Sequence, residues 1–124
     1  MQIRESAENY LETILILQNR LGQVRSIDIA HELSYAKPSV SVAMKKLRVN
    51  GYIGIDSDGY ITLLDNGREI AEKIYERHTF LTDWLITLGV NPKTATEDAC
   101  RIEHAISSET FEVLKAHVTL NRRR

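Results

Sequence analysis

Cys100, Glu103 and His104 stand within one short segment, DACRIEHAIS, and Cys100 is the single cysteine of the chain. A helical repeat of about 3.6 residues puts positions i, i+3 and i+4 on one face, within an arc of roughly 100°. The three side chains offer sulfur, oxygen and nitrogen, each a donor to divalent transition metals. Three donors do not fill a coordination shell, so a metal reading needs ligands from other elements. The same spacing suits a small buried cysteine beside a surface Glu-His pair, and spacing alone leaves both readings open. Further candidate donors are His78, in YERHTFL, and the group Glu8, Asn9 and Glu12, which share a helical face. His31 and His117 are weaker candidates, His117 because it falls in a last helical turn where a cation suits the helix dipole.

The elements that must carry these residues follow from periodicity and punctuation. SAENYLETILILQNRLG predicts a helix, with Ser6 as N-cap, Tyr10, Ile14, Leu17 and Leu21 at helical spacing, and Gly22 as the stop. SIDIAHEL predicts a short helix capped by Ser26. After the break SYA, KPSVSVAMKKLRV predicts a third helix with Pro38 in its first turn, a buried face of Val40, Met44 and Leu47, and an end at Asn50-Gly51. YIGIDSDGYITLL holds two alternating runs around Asp58-Gly59, which predicts a β-hairpin. A helix, a helix-turn-helix pair and a hairpin in that order describe a winged helix with the hairpin as its wing.

Beyond the hairpin the pattern is helical. One long helix is expected to end at Gly89, with Ile70, Ile74, Phe80 or Leu81, Leu85 and Leu88 as its apolar stripe. A second starts at Asn91-Pro92, and SSETFEVLKAHV forms a last, serine-capped helix before a frayed NRRR tail. The fold class expected is therefore mainly α: a winged helix-turn-helix over residues 1–64, then an all-helical lobe over residues 65–124. Each half is small for a large core of its own. The apolar residues of the second half, including Trp84, Ile86, Ile102, Ile106, Phe111 and Leu114, exceed what a lone helical lobe hides, which points to a symmetric homodimer.

Charge separates the halves. The net charge of −1 excludes a uniformly basic nucleic-acid binder. Yet residues 25–50 hold five basic side chains against two acidic ones, and residues 65–118 hold six against ten. Arg25, Lys45, Lys46 and Arg48 are candidates for phosphate contacts. A single cysteine excludes an internal disulfide and fits a reducing cytoplasm. No apolar run reaches membrane-spanning length, and MQIRESAENY lacks the apolar segment of a secretory signal.

ENYLETI, SIDIAHEL, KPSVSVAMKKL, GYI, LLDNG, the Arg77-His78 pair and ACRIEH stand in an order that resembles the diphtheria toxin repressor and manganese transport regulator family of metal-dependent bacterial repressors. The resemblance covers nearly the whole chain, and ENYLETI with ACRIEH is its specific part. It implies Glu12, His78, Cys100, Glu103 and His104 as metal ligands, with Asn9 at a position usually held by Met in the iron branch and Asp in the manganese branch. It implies base-edge contacts from the start of the recognition helix, by Lys37, Pro38, Ser39, Ser41 and Val42, and Ser26, at the start of the preceding helix, is a further candidate for DNA contact. Cys100 resembles the iron branch and Glu12 the manganese branch, so Fe²⁺ and Mn²⁺ both stand as the cofactor, with other divalent ions able to substitute in vitro. Thr82 and Thr96 stand where the iron branch has a Glu and a His of an ancillary site, so the sequence departs from the iron branch there. The expected form is the short one, without an SH3-like domain.

The resemblance implies a mechanism. Metal relieves repulsion between Glu12 and Glu103, ties helix one to the acidic lobe and sets the spacing of two recognition helices on palindromic operator DNA. Two other readings are a winged-helix regulator that senses an organic ligand and a metalloenzyme. The latter lacks a His-Glu-x-x-His or comparable hydrolytic signature.

Overall fold

The computed structural model describes residues 5–122. Six helices and one hairpin follow in the order α1 (Glu5–Leu21), α2 (Ser26–Leu33), α3 (Lys37–Val49), β1 (Ile53–Ile55), β2 (Ile61–Leu63), α4 (Asp65–Thr87), α5 (Pro92–Ala105) and α6 (Ser108–Arg122). This is the mainly α, winged helix-turn-helix class read from the sequence. The chain divides into two compact units, Met1–Lys73 and Ile74–Arg124, so the division falls inside α4.

In the first unit the apolar stripe of α1 buries Leu11, Ile14, Leu15 and Leu17. They join Val24, Ile29, Val40, Met44, Leu47, Ile53, Ile61 and Leu63 in one contiguous cluster. Each such side chain, fully buried, contributes about 1.5–3 kcal/mol. A winged helix of this size therefore closes its own core, more fully than its length suggests. The hairpin pairs Ile53 with Leu63 and Ile55 with Ile61 in antiparallel register. Its turn is organised by Asp56, whose carboxylate accepts the backbone N–H groups of Asp58 and Tyr60 at 2.9 Å each. Gly59 supplies the positive φ of 86° that the turn requires. The Val24 carbonyl accepts the Ile61 N–H at 2.7 Å, anchoring β2 to the segment before α2.

Two expected caps move by a residue or more. Glu5 is already helical, so Ser6 lies inside α1 and does not cap it. Arg25, in extended backbone, is the N-cap of α2, and Ser26 is the first helical residue. The Asp28 carboxylate accepts the Arg25 N–H at 2.9 Å, so the acid three residues on satisfies the helix start that a serine was expected to satisfy. The remaining punctuation stands where expected. Gly22 ends α1, Pro38 lies in the first turn of α3, and Val40, Met44 and Leu47 are its buried residues.

In the second unit Ile74 and Leu81 are buried on α4, whereas Leu88 lies beyond the helix end and is 64% exposed, so it is no part of the buried stripe. Asn91 caps α5, its side chain accepting the Lys93 N–H at 2.9 Å. Ser107 accepts the Thr110 N–H at 3.1 Å ahead of α6. Phe80 meets Phe111 edge-on at 5.5 Å, and Lys115 donates to Glu76 at 2.6 Å, a bond that holds the lysine above its ordinary pKa. The tail expected to fray is helical as far as Arg122, and Arg123 and Arg124 lie outside the described residues.

Candidate metal centre and nucleic-acid interface

Helix α5 delivers the thiol, carboxylate and imidazole to one place. One donor atom each from Cys100, Glu103 and His104 lies within 4.8 Å of the others. Glu103 is fully buried. Its Oε2 is 2.9 Å from Nδ1 of His78 on α4, and its Oε1 is 3.4 Å from Nε2 of His104. Among the described residues, no hydrogen-bond donor reaches Oε1 with bonding geometry. A buried carboxylate oxygen in that position is costly unless a cation meets it. With two imidazoles and a thiol beside it, the donor set fits a divalent transition ion. The reading of Cys100 as an inert packing residue beside a surface Glu-His pair does not match a Glu103 with no exposed surface.

On α1, Glu12 is 6% exposed, an unusual burial for a carboxylate. Asn9 is half-buried, and its carbonyl accepts the Thr13 hydroxyl at 2.8 Å. His31 and His117 are exposed.

The basic residues of the first unit stand on its surface. Lys37, Pro38, Ser39, Ser41, Val42, Lys45, Lys46 and Arg48 are exposed on α3, opposite its buried residues, and Arg25 is exposed at the start of α2. Arg25, Ser26, Ile27, Lys37, Ser41 and Gly59 line a shallow groove where the starts of α2 and α3 meet the wing turn. The guanidinium of Arg25 lies over the ring of Tyr60, 4.3 Å from its centroid.

Residues 2–60 match the model of the iron dependent repressor N-terminal DNA binding domain, and residues 64–121 match that of the iron dependent repressor metal binding and dimerisation domain. The transcriptional regulator MntR of Salmonella typhimurium is 33% identical over 113 residues, which cover 91% of this chain and 72% of that protein.

This chain belongs to the iron dependent repressor family.

A helix-turn-helix transcriptional regulator of Methanocaldococcus jannaschii is 36% identical over 113 residues, 90% of either chain. Among solved structures, the manganese regulator SloR aligns with a TM-score of 0.80 at 26% identity, covering 96% of this chain and 55% of that one. A manganese-dependent transcriptional repressor complexed with manganese aligns with a TM-score of 0.82 at 26% identity, covering 91% and 52%. The chain thus spans about half the length of those repressor structures. The resemblance read from ENYLETI and ACRIEH is borne out, and the relatives are transcriptional regulators rather than enzymes. No helix among the described residues is long and apolar enough to cross a membrane.

Two residues of this iron dependent repressor family member escaped the sequence reading. Tyr60 carried no signal beyond its place after Asp58-Gly59, because its ring partner is 35 positions away. Arg77 was visible only as half of the Arg77-His78 pair. The structure buries it to 6% exposure, and its guanidinium donates to the carbonyls of Glu103 and Ile106 and to the hydroxyl of Ser108, each at 3.0 Å.

Proposed function

We propose that this chain is a cytoplasmic, divalent-metal-dependent transcriptional repressor that binds palindromic operator DNA as a homodimer and controls genes of metal homeostasis. The observation that carries the reading is the buried Glu103 carboxylate flanked by His78, His104 and Cys100 in a member of this family. Glu12, His78, Cys100, Glu103 and His104 would hold the ion, and Asn9 would add a neutral amide oxygen. Glu12 enters the set on its burial and on the family motif ENYLETI. When bound, the ion supplies positive charge that favours the ionised carboxylates and thiolate. The residues of the chain do the rest. His78 and Glu103 hold each other in place at 2.9 Å. The exposed Lys45, Lys46, Arg48 and Arg25 would take phosphates, and Ser26, Lys37, Pro38, Ser39, Ser41 and Val42 would face the groove. The domain division of the proposal is 1–64 for DNA and 65–124 for metal and dimerisation.

The cofactor is Fe²⁺ or Mn²⁺. The thiol of Cys100 favours the softer ion, and the oxygen donors suit Mn²⁺. The test is binding to a family-type palindromic duplex, under anaerobic conditions, with Fe²⁺, with Mn²⁺ and with a chelator. Tight binding with either ion and its loss on chelation is the expected result. Equal binding in all three conditions overturns metal dependence, and no binding in any of them overturns the choice of operator class.

A further inference from the structure

We propose that Arg77 is a positioning residue for the metal ligands of α5, an inference that rests on the metal site proposed above. The last carbonyls of a helix have no partner within it. At the end of α5 two such groups are taken by one side chain. Arg77 Nη1 donates to the carbonyls of Glu103 and Ile106, and Nη2 donates to Ser108 Oγ, all at 3.0 Å. The guanidinium also lies 5.3 Å from the centre of the Phe111 ring. A cation at a helix C-terminus is favoured by the helix dipole.

Glu103 is consequently held at both ends by consecutive residues of α4. Arg77 grips its backbone carbonyl, and His78 meets its carboxylate at 2.9 Å. The side-chain bond alone leaves the turn of α5 free to pivot about the carboxylate. The backbone bond alone leaves the carboxylate free to swing. Together they fix the donor atoms of Glu103 and, one residue on, of His104. The fork also joins α5 to the start of α6 through Ser108, so the three helices of the second unit share one anchor. Lysine cannot reproduce this, since its ammonium is a single point and the guanidinium is a planar array of five donors.

Partners that orient metal ligands typically change metal affinity by about 10–100-fold when removed. Arg77→Leu is therefore expected to weaken Co²⁺ binding by about 10–100-fold, with a changed visible absorption spectrum of the bound ion, in protein that circular dichroism shows to be folded. Arg77→Lys keeps the charge and most of the stem but loses the fork. It is expected to bind Co²⁺ about tenfold more weakly, and it decides the matter if the leucine variant does not fold. Affinities are compared per folded molecule, so that a loss of stability alone does not register. His104→Ala serves as the control. If it binds Co²⁺ as tightly as the unaltered chain, the metal site itself is misassigned, and the inference falls with it. If His104→Ala loses affinity while folded Arg77 variants keep both affinity and spectrum, Arg77 only holds the fold and the inference is overturned.

Discussion

A carboxylate without exposed surface is among the costlier residues to fold around, and the position of Glu103 therefore argues for a role beyond packing. Glu103→Gln preserves its shape and removes its charge. The expected result is a folded protein whose metal affinity falls by more than the about 10–100-fold typical of outer partners, read by competition with a chelating dye. Metal affinity equal to that of the unaltered chain would remove Glu103 from the ligand set. Whether the thiol selects the ion is tested at Cys100. Cys100→Glu replaces the soft donor with a hard one, so the ratio of Fe²⁺-activated to Mn²⁺-activated DNA binding is expected to move towards Mn²⁺. If that ratio stays where it was, the thiol does not select the ion. Cys100, Glu103 and His104 were legible because their relation is local: helical spacing alone puts them on one face. Tyr60 and Arg77 were not, because each matters through a partner far along the chain. Tyr60 touches Arg25, and Arg77 touches residues 103 to 108. The Arg25–Tyr60 contact is itself testable. An exposed cation–π pair contributes about 0.5–1 kcal/mol, so Tyr60→Leu is expected to weaken DNA binding about twofold to fivefold while Tyr60→Phe does not.

At the scale of elements, what the sequence announced best was where structure stops. Gly22, Gly51, Gly59 and Gly89 all adopt positive φ at expected ends and turns, and Asn91-Pro92 opens α5 as read. The starts of α1 and α2 were less legible: Ser6 lies inside α1, and the Asp28 carboxylate rather than a serine meets the N-cap N–H of α2. Leu88 falls outside the buried stripe for a related reason: the apolar periodicity runs on past Thr87, where α4 ends ahead of Gly89, and only the backbone tells the two apart. Gly67 shows a constraint that no periodicity reveals. It lies in the first turn of α4, where alanine is the better helix former by about 1 kcal/mol. Propensity alone thus predicts that Gly67→Ala stabilises. The geometry reverses the sign. A methyl group there falls 2.1 Å from the carbonyl oxygen of Tyr52, which is already engaged by the Leu64 N–H at 3.0 Å. Backbone must move, and overpacking of this kind costs about 1–3 kcal/mol. A lowered midpoint in urea denaturation is expected, and a raised one would show that the start of α4 yields without cost.

For the whole molecule, the separation of charge read from the sequence corresponds to two units of different character. The first presents exposed basic residues on α3, and the second exposes Leu88, Val113 and Leu120, at 64%, 64% and 59%. Of the apolar surplus read from the sequence, Ile86 and Leu88 are exposed while Phe111 is buried; with Val113 and Leu120, the two exposed residues form the apolar surface that a homodimer would cover, and none of these four is a proposed metal ligand. Sedimentation is therefore expected to give a dimer with or without the ion, and a monomer at micromolar concentration in both conditions would leave the palindromic reading without its two-fold axis. If metal acts on DNA affinity rather than on assembly, a thermodynamic consequence follows. If an ion favours the DNA-competent arrangement by some factor, operator DNA must raise the affinity for the ion by the same factor. Couplings of this kind are typically about 5–150-fold. Mn²⁺ titrations of the dimer, alone and with saturating duplex, are expected to differ by the factor that separates duplex affinities with and without Mn²⁺. A duplex of unrelated sequence tests whether the effect is only electrostatic, since phosphate contacts alone make it equal on both duplexes and steeply dependent on salt. An Mn²⁺ affinity unmoved by saturating operator sinks Mn²⁺ as the activating ion, because linkage leaves no route by which that ion could then tighten DNA, and the same result with Fe²⁺ sinks the proposal of metal-dependent repression.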